Sequence, residues 1–357
     1  MISNHLVDNL ILMPSLFPKR FFFKIILYCK AIGHMIISGT KLSNYIIQNL
    51  EFNPVRVSKY INPKDYDFVI MEYFHLSNCV NLFKKYSVKT CLDTHNVLHF
   101  SFQQQLRNKK IPNIIKRYLL NKYQKAEISA WKKFDYIVSI NQYEEKYIKK
   151  FINQKKVWNI PIGMNFDKIK NLSNRKLDKV VVAFFGGFSN KHNQKYALEC
   201  YYKTMHSIWM KKTDIEYWII GNNPPKNILA LADRDSRVKV TGFVEQLETV
   251  FKDIAFVLCP WEGSYGFRTR IVEVMAYGIP VIATKSSIRG MQLENKKGII
   301  LTDSINDFSN SILELIKDIN NINKLSFSAR KEAAKYFSFD STYSIWSKNI
   351  TMTLNEE

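Results

Sequence analysis

Cysteine is scarce in this 357-residue sequence and follows no pairing pattern. The five cysteines are odd in number and form no Cys-x-x-Cys motif, which argues against a disulfide framework or a structural zinc site. This usage fits a reducing compartment and predicts a cytoplasmic location. Glycine (12 residues) and proline (10 residues) are also few, which excludes collagen-like and low-complexity proteins.

No stretch of the sequence is long and apolar enough to predict a membrane span or a signal peptide. The most apolar stretch, Phe21–Ile37, contains two lysines and one histidine. As a helix, it is predicted to pack one apolar side into a core, which is favoured over a membrane anchor. That side includes Ile25, Cys29, Ile32 and Ile36.

Acidic residues are too few to balance the basic ones. The sequence has 52 Lys and Arg against 31 Asp and Glu, which gives a net charge of +21. Residues 1–178 hold 29 basic and 12 acidic residues, whereas residues 179–357 hold 23 and 19. Codon bias would act on both halves alike. The first half is therefore expected to face an anionic membrane surface, a phosphorylated acceptor or nucleic acid, with an ordinary solvated surface as the alternative.

Several motifs of other protein classes are absent. There is no Walker A sequence, and the seven histidines lack ligand spacing, so no metal site and no cofactor are predicted. Asp65-Tyr66-Asp67 and Asp233-Arg234-Asp235 spell Asp-x-Asp, but both are predicted to be solvated turns. No aromatic-basic nucleic-acid module is found, so nucleic acid is not predicted to be a partner.

Short apolar runs that alternate with amphipathic stretches are the dominant pattern. Continuous β-branched runs between helices predict parallel sheets covered on both faces, here two Rossmann-like α/β domains. The predicted strands are Tyr66–Met71, Val88–Leu92, Tyr136–Ile140, Val180–Phe185, Ile215–Ile220, Val238–Thr241, Ile254–Leu258, Pro280–Ala283 and Gly298–Leu301. The predicted segments are an N-terminal domain (1–165), a linker (166–178), a C-terminal domain (179–336) and a terminal helix returning to the first domain (337–357).

The stretch Cys259–Thr284 carries the most chemical information. It predicts a buried strand, a glycine-containing loop and a helix that begins near Phe267. Glycines before a helix N-terminus leave backbone N–H groups free to face an anion. Arg268 and Arg270 in the first turn oppose the helix dipole unless an anion such as a diphosphate lies there; the alternative is that both point to solvent.

Glu273 shares a helix face with Arg270, because the two lie three residues apart. Its carboxylate could accept hydrogen bonds from two hydroxyl groups, as a ribose would offer. A local ion pair with Arg270 is the alternative, and the residues alone do not choose between the two.

This stretch resembles the donor-site signature of retaining glycosyltransferases of family 4, which have the GT-B fold of two Rossmann-like domains facing across a cleft. The matching positions are Gly266, Arg268, Arg270, Ile271, Glu273, Met275, Ala276, Gly278, Pro280 and Ala283-Thr284. Further segments match in the same order along the chain: Cys91–Val97, Trp131–Glu144, Asn159–Asn165, Phe184–Asn193, Trp218–Pro224, Val238–Leu247 and Phe337–Trp346.

The resemblance implies roles for individual residues. Glu273 would bind the nucleotide ribose, and the backbone around Gly266, Phe267 and Arg268 would hold the diphosphate. Arg268 or Arg270 would neutralise the leaving phosphate, as a metal does elsewhere.

Other implied roles fall outside this stretch. His95 would lie near the acceptor and the transferred sugar, where it could hold a hydroxyl group or share its proton; a purely structural role is the alternative. The loop with Gly187 and Lys191 would contact the donor, with Lys195 as a second candidate for the phosphates.

The sequence departs from the family pattern at two places. Tyr265 occupies the position of a glutamate that contacts the transferred sugar in many members, and Glu262 is close enough to substitute. The N-terminal residues, including His5–Pro14, lack the expected glycine-rich loop, so the first strand–loop–helix unit of the N-terminal domain is expected either to be missing or to be built differently.

Together these features predict a cytoplasmic hexosyltransferase, peripheral on the inner face of the membrane. It would move a sugar from a UDP- or GDP-sugar to a glycan or lipid-linked acceptor of lipopolysaccharide, capsule or exopolysaccharide. The alternative is a non-catalytic GT-B subunit that binds a nucleotide sugar or a partner transferase.

Overall fold

The computed structural model describes residues 11–13, 25, 28–29, 32–33, 36, 52–107, 109–262 and 266–355, with only the backbone described at Ile319. The expectation for the first strand–loop–helix unit falls mostly outside these residues. Within 21–37, each described position is helical. Ile25, Ile32 and Ile36 are 45%, 41% and 65% exposed. The prediction that this stripe packs into a core is wrong at these positions, because periodicity aligns side chains on one face without providing a surface to cover it.

The chain divides into two compact units. The first consists of residues 1–140, 144–159 and 352–357, and the second of residues 141–143 and 160–351. The domain and linker boundaries given above stay a prediction.

The first unit contains a four-stranded parallel sheet in the order β1-β2-β3-β4. Its strands are β1 (Phe68–Glu72), β2 (Lys89–Asp93), β3 (Tyr136–Ser139) and β4 (Val157–Asn159). The parallel register places Glu72 opposite Asp93, at the edge of the sheet formed by the carboxyl ends of its strands. The helices described in residues 52–159 are α1 (Pro54–Val57), α2 (Val80–Lys84), α3 (Leu98–Arg107), α4 (Asn113–Trp131) and α5 (Gln142–Ile148).

The second unit contains a six-stranded parallel sheet in the order β10-β9-β8-β5-β6-β7. Its strands are β5 (Val181–Phe185), β6 (Glu216–Ile220), β7 (Val238–Gly242), β8 (Phe256–Cys259), β9 (Val281–Thr284) and β10 (Ile299–Thr302). The chain runs outward from β5 to β7 and then returns to the other side of β5 as β8. The loops after β5 and β8 therefore flank the switch point, where doubly wound sheets bind ligands.

Helices follow one another along the chain from Lys191 onward. They are α6 (Lys191–Glu199), continued by a π-helical segment (Cys200–Met205) and α7 (His206–Trp209), then α8 (Lys226–Arg234), α9 (Glu248–Phe251), α10 (Thr269–Ala276), α11 (Phe308–Leu315), α12 (Ile319–Phe337) and α13 (Phe339–Asn355). Among the described residues, no helix is long and apolar enough to cross a membrane.

The central strands are buried on both faces, as continuous apolar runs predict. Val181, Val182, Ala183 and Phe184 in β5 are all 0% exposed. The prediction of an α/β protein with two parallel sheets is confirmed, and all nine predicted strands are present.

One buried guanidinium fastens the segment that precedes β5 to the second unit. Arg175 donates hydrogen bonds to the carbonyl oxygens of Leu172, Ile254 and Gly278. Burial lowers the pKa of Arg175 to about 10. Three backbone acceptors compensate for taking this charge out of water, so the segment is held firmly.

Candidate functional site

The turn after β5 receives the side chain of Arg270. A Cβ atom on Gly186 would lie 2.7 Å from Arg270 Nη1, and one on Gly187 would lie 2.8 Å from Asn222 Oδ1. A side chain at either glycine would require the end of the Arg270 or Asn222 side chain to shift. The N–H of Gly187 has no acceptor within the described part of the chain. The turn thus places an available amide beside a guanidinium group.

A buried amide ties this turn to the loop after β8. Asn193, which is 3% exposed, donates from Nδ2 to the Gly187 carbonyl oxygen at 2.7 Å. Its Oδ1 accepts a hydrogen bond from Trp261 Nε1 at 3.2 Å. Both polar ends of the Asn193 side chain are therefore used, and the two loops on either side of the switch point are held together.

Three hydroxyl groups hold the loop after β8 in place through one carbonyl oxygen. The carbonyl oxygen of Trp261 accepts hydrogen bonds from Thr284 Oγ1, Ser286 Oγ and Ser287 Oγ, at 2.9, 3.1 and 2.7 Å. The backbone N–H of Glu262 donates to Tyr196 Oη at 3.1 Å. These contacts order the backbone up to Glu262, whose side chain is exposed.

The N-terminus of α10 lies next to this loop. The helix begins at Thr269, two residues later than predicted, because Gly266 has φ +74° and Arg268 has non-helical angles of −95° and 76°. The Arg268 side chain makes no capping hydrogen bond, and its guanidinium carbon lies 5.8 Å from the centre of the Trp261 ring. The amides of a helix N-terminus, together with cationic side chains, favour an anion.

Burial and charge oppose each other at Arg270 and Glu273. Burial lowers the pKa of Arg270 and raises the pKa of Glu273, while each partially offsets the shift of the other. In the described part of the chain, no ion pair within 4.0 Å joins them, so the alternative of a local ion pair is not the one observed. Both groups keep the capacity to bind a ligand.

The remaining predicted donor-site residues are dispersed around the switch point. Lys191 is exposed at the start of α6. Phe267 packs edge-on against Phe337, with ring centres 5.3 Å apart, so its ring contributes to the core. Lys195 lies 3.7 Å from Glu199 in a helical ion pair. Tyr265 lies outside the described residues.

His95 lies in the first unit, at the edge where β1 and β2 end. It has φ +51° and its ring stacks on Tyr73 at 4.8 Å. Its Nε2 hydrogen-bonds to the carboxylate of Glu72, and its backbone N–H donates to Asp93 Oδ1 at 3.2 Å. The Glu72 hydrogen bond raises the pKa of His95, although burial partly opposes the shift.

Potential metal-binding side chains come close together at this same edge. Single ligand atoms of Glu72, Asp93 and His95 lie within 4.8 Å of one another. The direct bond between Glu72 and His95 makes this a hydrogen-bonded pair rather than a set of ligands spaced around a central position. The two Asp-x-Asp sequences form local contacts instead: Asp235 accepts three hydrogen bonds from Arg237, two of them from its guanidinium group, and Asp65 accepts one from Asn62.

A family model described as Glycosyl transferases group 1 matches residues 179–318, the part of the chain that contains the second sheet. The match covers less than half of the chain. The prediction of a transferase enzyme is confirmed, whereas membership of family 4 and the retaining stereochemistry stay predictions. Among curated proteins, none matches the sequence.

Several solved structures share the fold. Sucrose-phosphate synthase from Thermosynechococcus elongatus is 15% identical, with a TM-score of 0.64 over 88% of this chain and 78% of that one. HepE from Anabaena in complex with UDP is 16% identical, with a TM-score of 0.60 over 82% and 80%. A glycosyltransferase from Rickettsia africae is 14% identical, with a TM-score of 0.58 over 95% and 83%. The predicted GT-B fold is confirmed by these likenesses.

Sequence reasoning missed the residues that order the loops, chiefly Asn193 and Glu72. A signal for Asn193 was present, because it shares a helix face with the buried Tyr196 and Ala197. A polar side chain on a buried face requires partners. Glu72 directly follows the predicted first strand, at the sheet edge where ligands bind.

Proposed function

We propose that the chain is a retaining, metal-independent family 4 glycosyltransferase that moves a hexose from a UDP- or GDP-sugar to a surface-glycan acceptor, such as lipopolysaccharide, capsule or exopolysaccharide. One observation carries the proposal: the Arg270 guanidinium lies against the Gly186–Gly187 turn at the switch point of a group 1 domain. The N-terminus of α10 and the carboxylate of Glu273 follow within one turn of helix.

The donor half of the reaction needs a fixed positive environment for the leaving nucleotide. The amides of Gly187 and of residues 266–268 bind the diphosphate, and Glu273 accepts the ribose hydroxyl groups. As the bond between sugar and phosphate breaks, negative charge develops on the terminal phosphate, and Arg268 and Arg270 stabilise it. Removing one such preorganised donor typically raises a barrier by ~3–4 kcal/mol.

The sugar and the acceptor are assigned to other residues. Glu262 or Tyr265 binds the transferred sugar, and Lys191 contacts the donor phosphates from the start of α6. His95 holds the acceptor hydroxyl group or the transferred sugar through its imidazole. No metal enters this scheme, because guanidinium groups supply the charge.

The acceptor is proposed to be lipid-linked, which brings the enzyme to the inner face of an anionic cytoplasmic membrane. Residues 1–178 carry a basic excess of 17, from 29 basic and 12 acidic residues. Exposed Ile25, Ile32 and Ile36 add an apolar face to this basic half of the chain. Basic charge together with an apolar face is the combination that binds anionic bilayers.

Isothermal titration calorimetry with UDP-glucose and GDP-mannose tests the donor site. Arg270→Ala and Glu273→Ala are each expected to weaken binding of the preferred donor by about tenfold or more, because each removes a charged hydrogen-bonding group worth roughly 1.5–3 kcal/mol. Arg234→Ala and Glu245→Ala remove exposed charges of the same second unit and serve as matched controls.

Donor binding that both site variants leave unchanged would remove the switch point as the nucleotide site. Release of nucleotide in the presence of lipid-linked acceptors, above the level of Arg268→Ala, separates a working transferase from the non-catalytic subunit. The non-catalytic alternative rests on Tyr265 and the N-terminal residues, which lie largely outside the described part of the chain.

A further inference from the structure

A carboxylate and an imidazole meet at the edge of the first sheet. Glu72 is the last residue of β1 and lies opposite Asp93, the last residue of β2. Two residues after Asp93, the chain places His95 so that its Nε2 bonds to the Glu72 carboxylate. The parallel register of β1 and β2 therefore sets the pair, although 23 positions separate the two residues.

The backbone on both sides of this pair is strained. Tyr73 and His95 follow the two strand ends with φ of +64° and +51°. Their rings stack at 4.8 Å with an angle of 29° between planes. Residues keep such unfavourable angles only where the surroundings determine them strongly. The imidazole is thus held by Glu72 at Nε2, by Tyr73 on its face and by Asp93 at its backbone.

We propose that Glu72 is a positioning residue for the transfer reaction: it orients the His95 imidazole through Nε2 and keeps it cationic, so that Nδ1–H donates a hydrogen bond to a substrate oxygen. The inference rests on the proposed function. The His95 side chain is 39% exposed, so a substrate can reach it. A cationic imidazole donates a charge-assisted hydrogen bond, which is stronger than one from the neutral ring.

Charges around the ring favour the cationic form. The Glu72 hydrogen bond is the main cause that raises the pKa of His95, and the carboxylate of Asp93 adds to it against the effect of burial. The pKa of Asp93 is itself raised by burial, which His95 partly offsets. Cys91, behind the pair in β2, stays neutral because burial raises its pKa well above the usual value.

Nitrogen-15 NMR of histidine-labelled protein tests the coupling without requiring turnover. His95→Asn identifies the His95 signals among the seven histidines. In the wild type, His95 is expected to titrate above the ordinary histidine value of about 6.5 and to carry its proton on Nε2 when neutral. Glu72→Gln should lower this pKa, whereas Asp65→Asn, an exposed change before β1, should not.

The pH dependence of UDP-glucose turnover tests the role in transfer. Activity that depends on the cationic ring falls as pH rises through the His95 pKa. Glu72→Gln should move this fall to lower pH, so it should reduce kcat more at pH 8 than at pH 6. A purely structural role would lower activity equally at every pH.

Three results would overturn the inference. Two of them are an unchanged His95 titration and an unchanged pH profile of turnover in Glu72→Gln. The third is selective broadening of the His95 NMR signals by micromolar Mn²⁺, which would make the group of Glu72, Asp93 and His95 a cation site. A wild type that shows the shifted titration but turns over no donor with any acceptor refutes the transfer function. In that case the coupling of Glu72 to His95 stands, and its role in transfer does not.

Discussion

Burial and charge act in opposite directions on Glu273. Its pKa is raised mainly by desolvation. The positive charge of Arg270 lowers this pKa, but by less than desolvation raises it. The proposed ribose contact requires a carboxylate, because a protonated acid loses acceptor capacity for two hydroxyl donors. The ionisation of one residue should therefore appear directly in the affinity for the donor.

Binding of UDP-glucose is predicted to weaken as pH falls through the raised pKa of Glu273, at values where an ordinary glutamate with a pKa near 4.5 is still ionised. Both phosphates of this ligand stay ionised across the range, so the protein supplies the titrating group. Glu273→Gln should bind about tenfold more weakly at pH 7 and lose this acidic dependence. Calorimetry between pH 5 and 8 measures both the affinity at pH 7 and its decrease at acidic pH. If the affinity of Glu273→Gln still decreases at acidic pH, another residue causes that decrease.

At the scale of elements, one side chain joins two loops of the second unit. Asn193, in the first turn of α6, serves the Gly187 carbonyl and the Trp261 indole. Asn193→Ala leaves both without a partner in a buried position, which costs roughly 1–3 kcal/mol for each unsatisfied group. We predict lower stability and donor affinity reduced by about tenfold, measured by urea denaturation and calorimetry.

Asn320→Ala, an exposed asparagine in α12, is the matched control for that experiment. It should change neither quantity. A normal donor affinity in a destabilised Asn193→Ala protein would show that the amide supports the fold of the unit without shaping the donor site.

The turn that ends α10 depends on a glycine for two reasons. Gly278 has φ +81°, and a Cβ atom there would lie 2.3 Å from Ser173 Oγ and 2.9 Å from Ser173 N. Gly242 has a similar φ of +68° with nothing within 4 Å. Gly242→Ala should therefore cost about 1–2 kcal/mol for the left-handed backbone alone.

Gly278→Ala is predicted to cost roughly 1–3 kcal/mol more than Gly242→Ala, because the contact with Ser173 adds overpacking to the backbone strain. Urea denaturation of the two variants checks the difference. Equal losses would mean that the segment around Ser173 moves aside at no cost, and that Gly278 is required for its backbone angle only.

At the scale of the whole molecule, local pattern predicted the strands and the edges where they end. Apolar runs located nine strands within two residues, and the short β4 (Val157–Asn159) escaped because three residues show no period. The helical region 191–209 contains the π-helical segment Cys200–Met205, and Asp318 caps α12 and separates it from α11. Such breaks depend on tertiary packing, which overrides local propensity.

For the candidate site, too, local pattern predicts only what does not depend on tertiary packing. Sequence order placed Gly187, Glu262 and Glu273 after strands that meet at one edge, because parallel strands share their carboxyl ends. The contact of Arg270 with the glycine turn and the pair of Glu72 with His95 join residues far apart in sequence. No local pattern encodes such pairs, since they depend on strand register and on side-chain packing.

The uneven charge of the chain becomes a measurable property of the whole molecule if the basic half meets a membrane. Full-length protein should co-sediment with phosphatidylglycerol vesicles but not with phosphatidylcholine vesicles, and 0.5 M NaCl should release it, because each well-placed Lys or Arg contributes ~1 kcal/mol that salt screens.

Ile36→Glu should reduce binding to the phosphatidylglycerol vesicles by about tenfold, since burying one isoleucine is worth roughly 1.5–3 kcal/mol. Met210→Glu, an 81% exposed position in the second unit, is the control and should bind as the wild type does. Equal binding to both vesicle types would show that the basic excess serves the acceptor's phosphate groups or solubility rather than the bilayer.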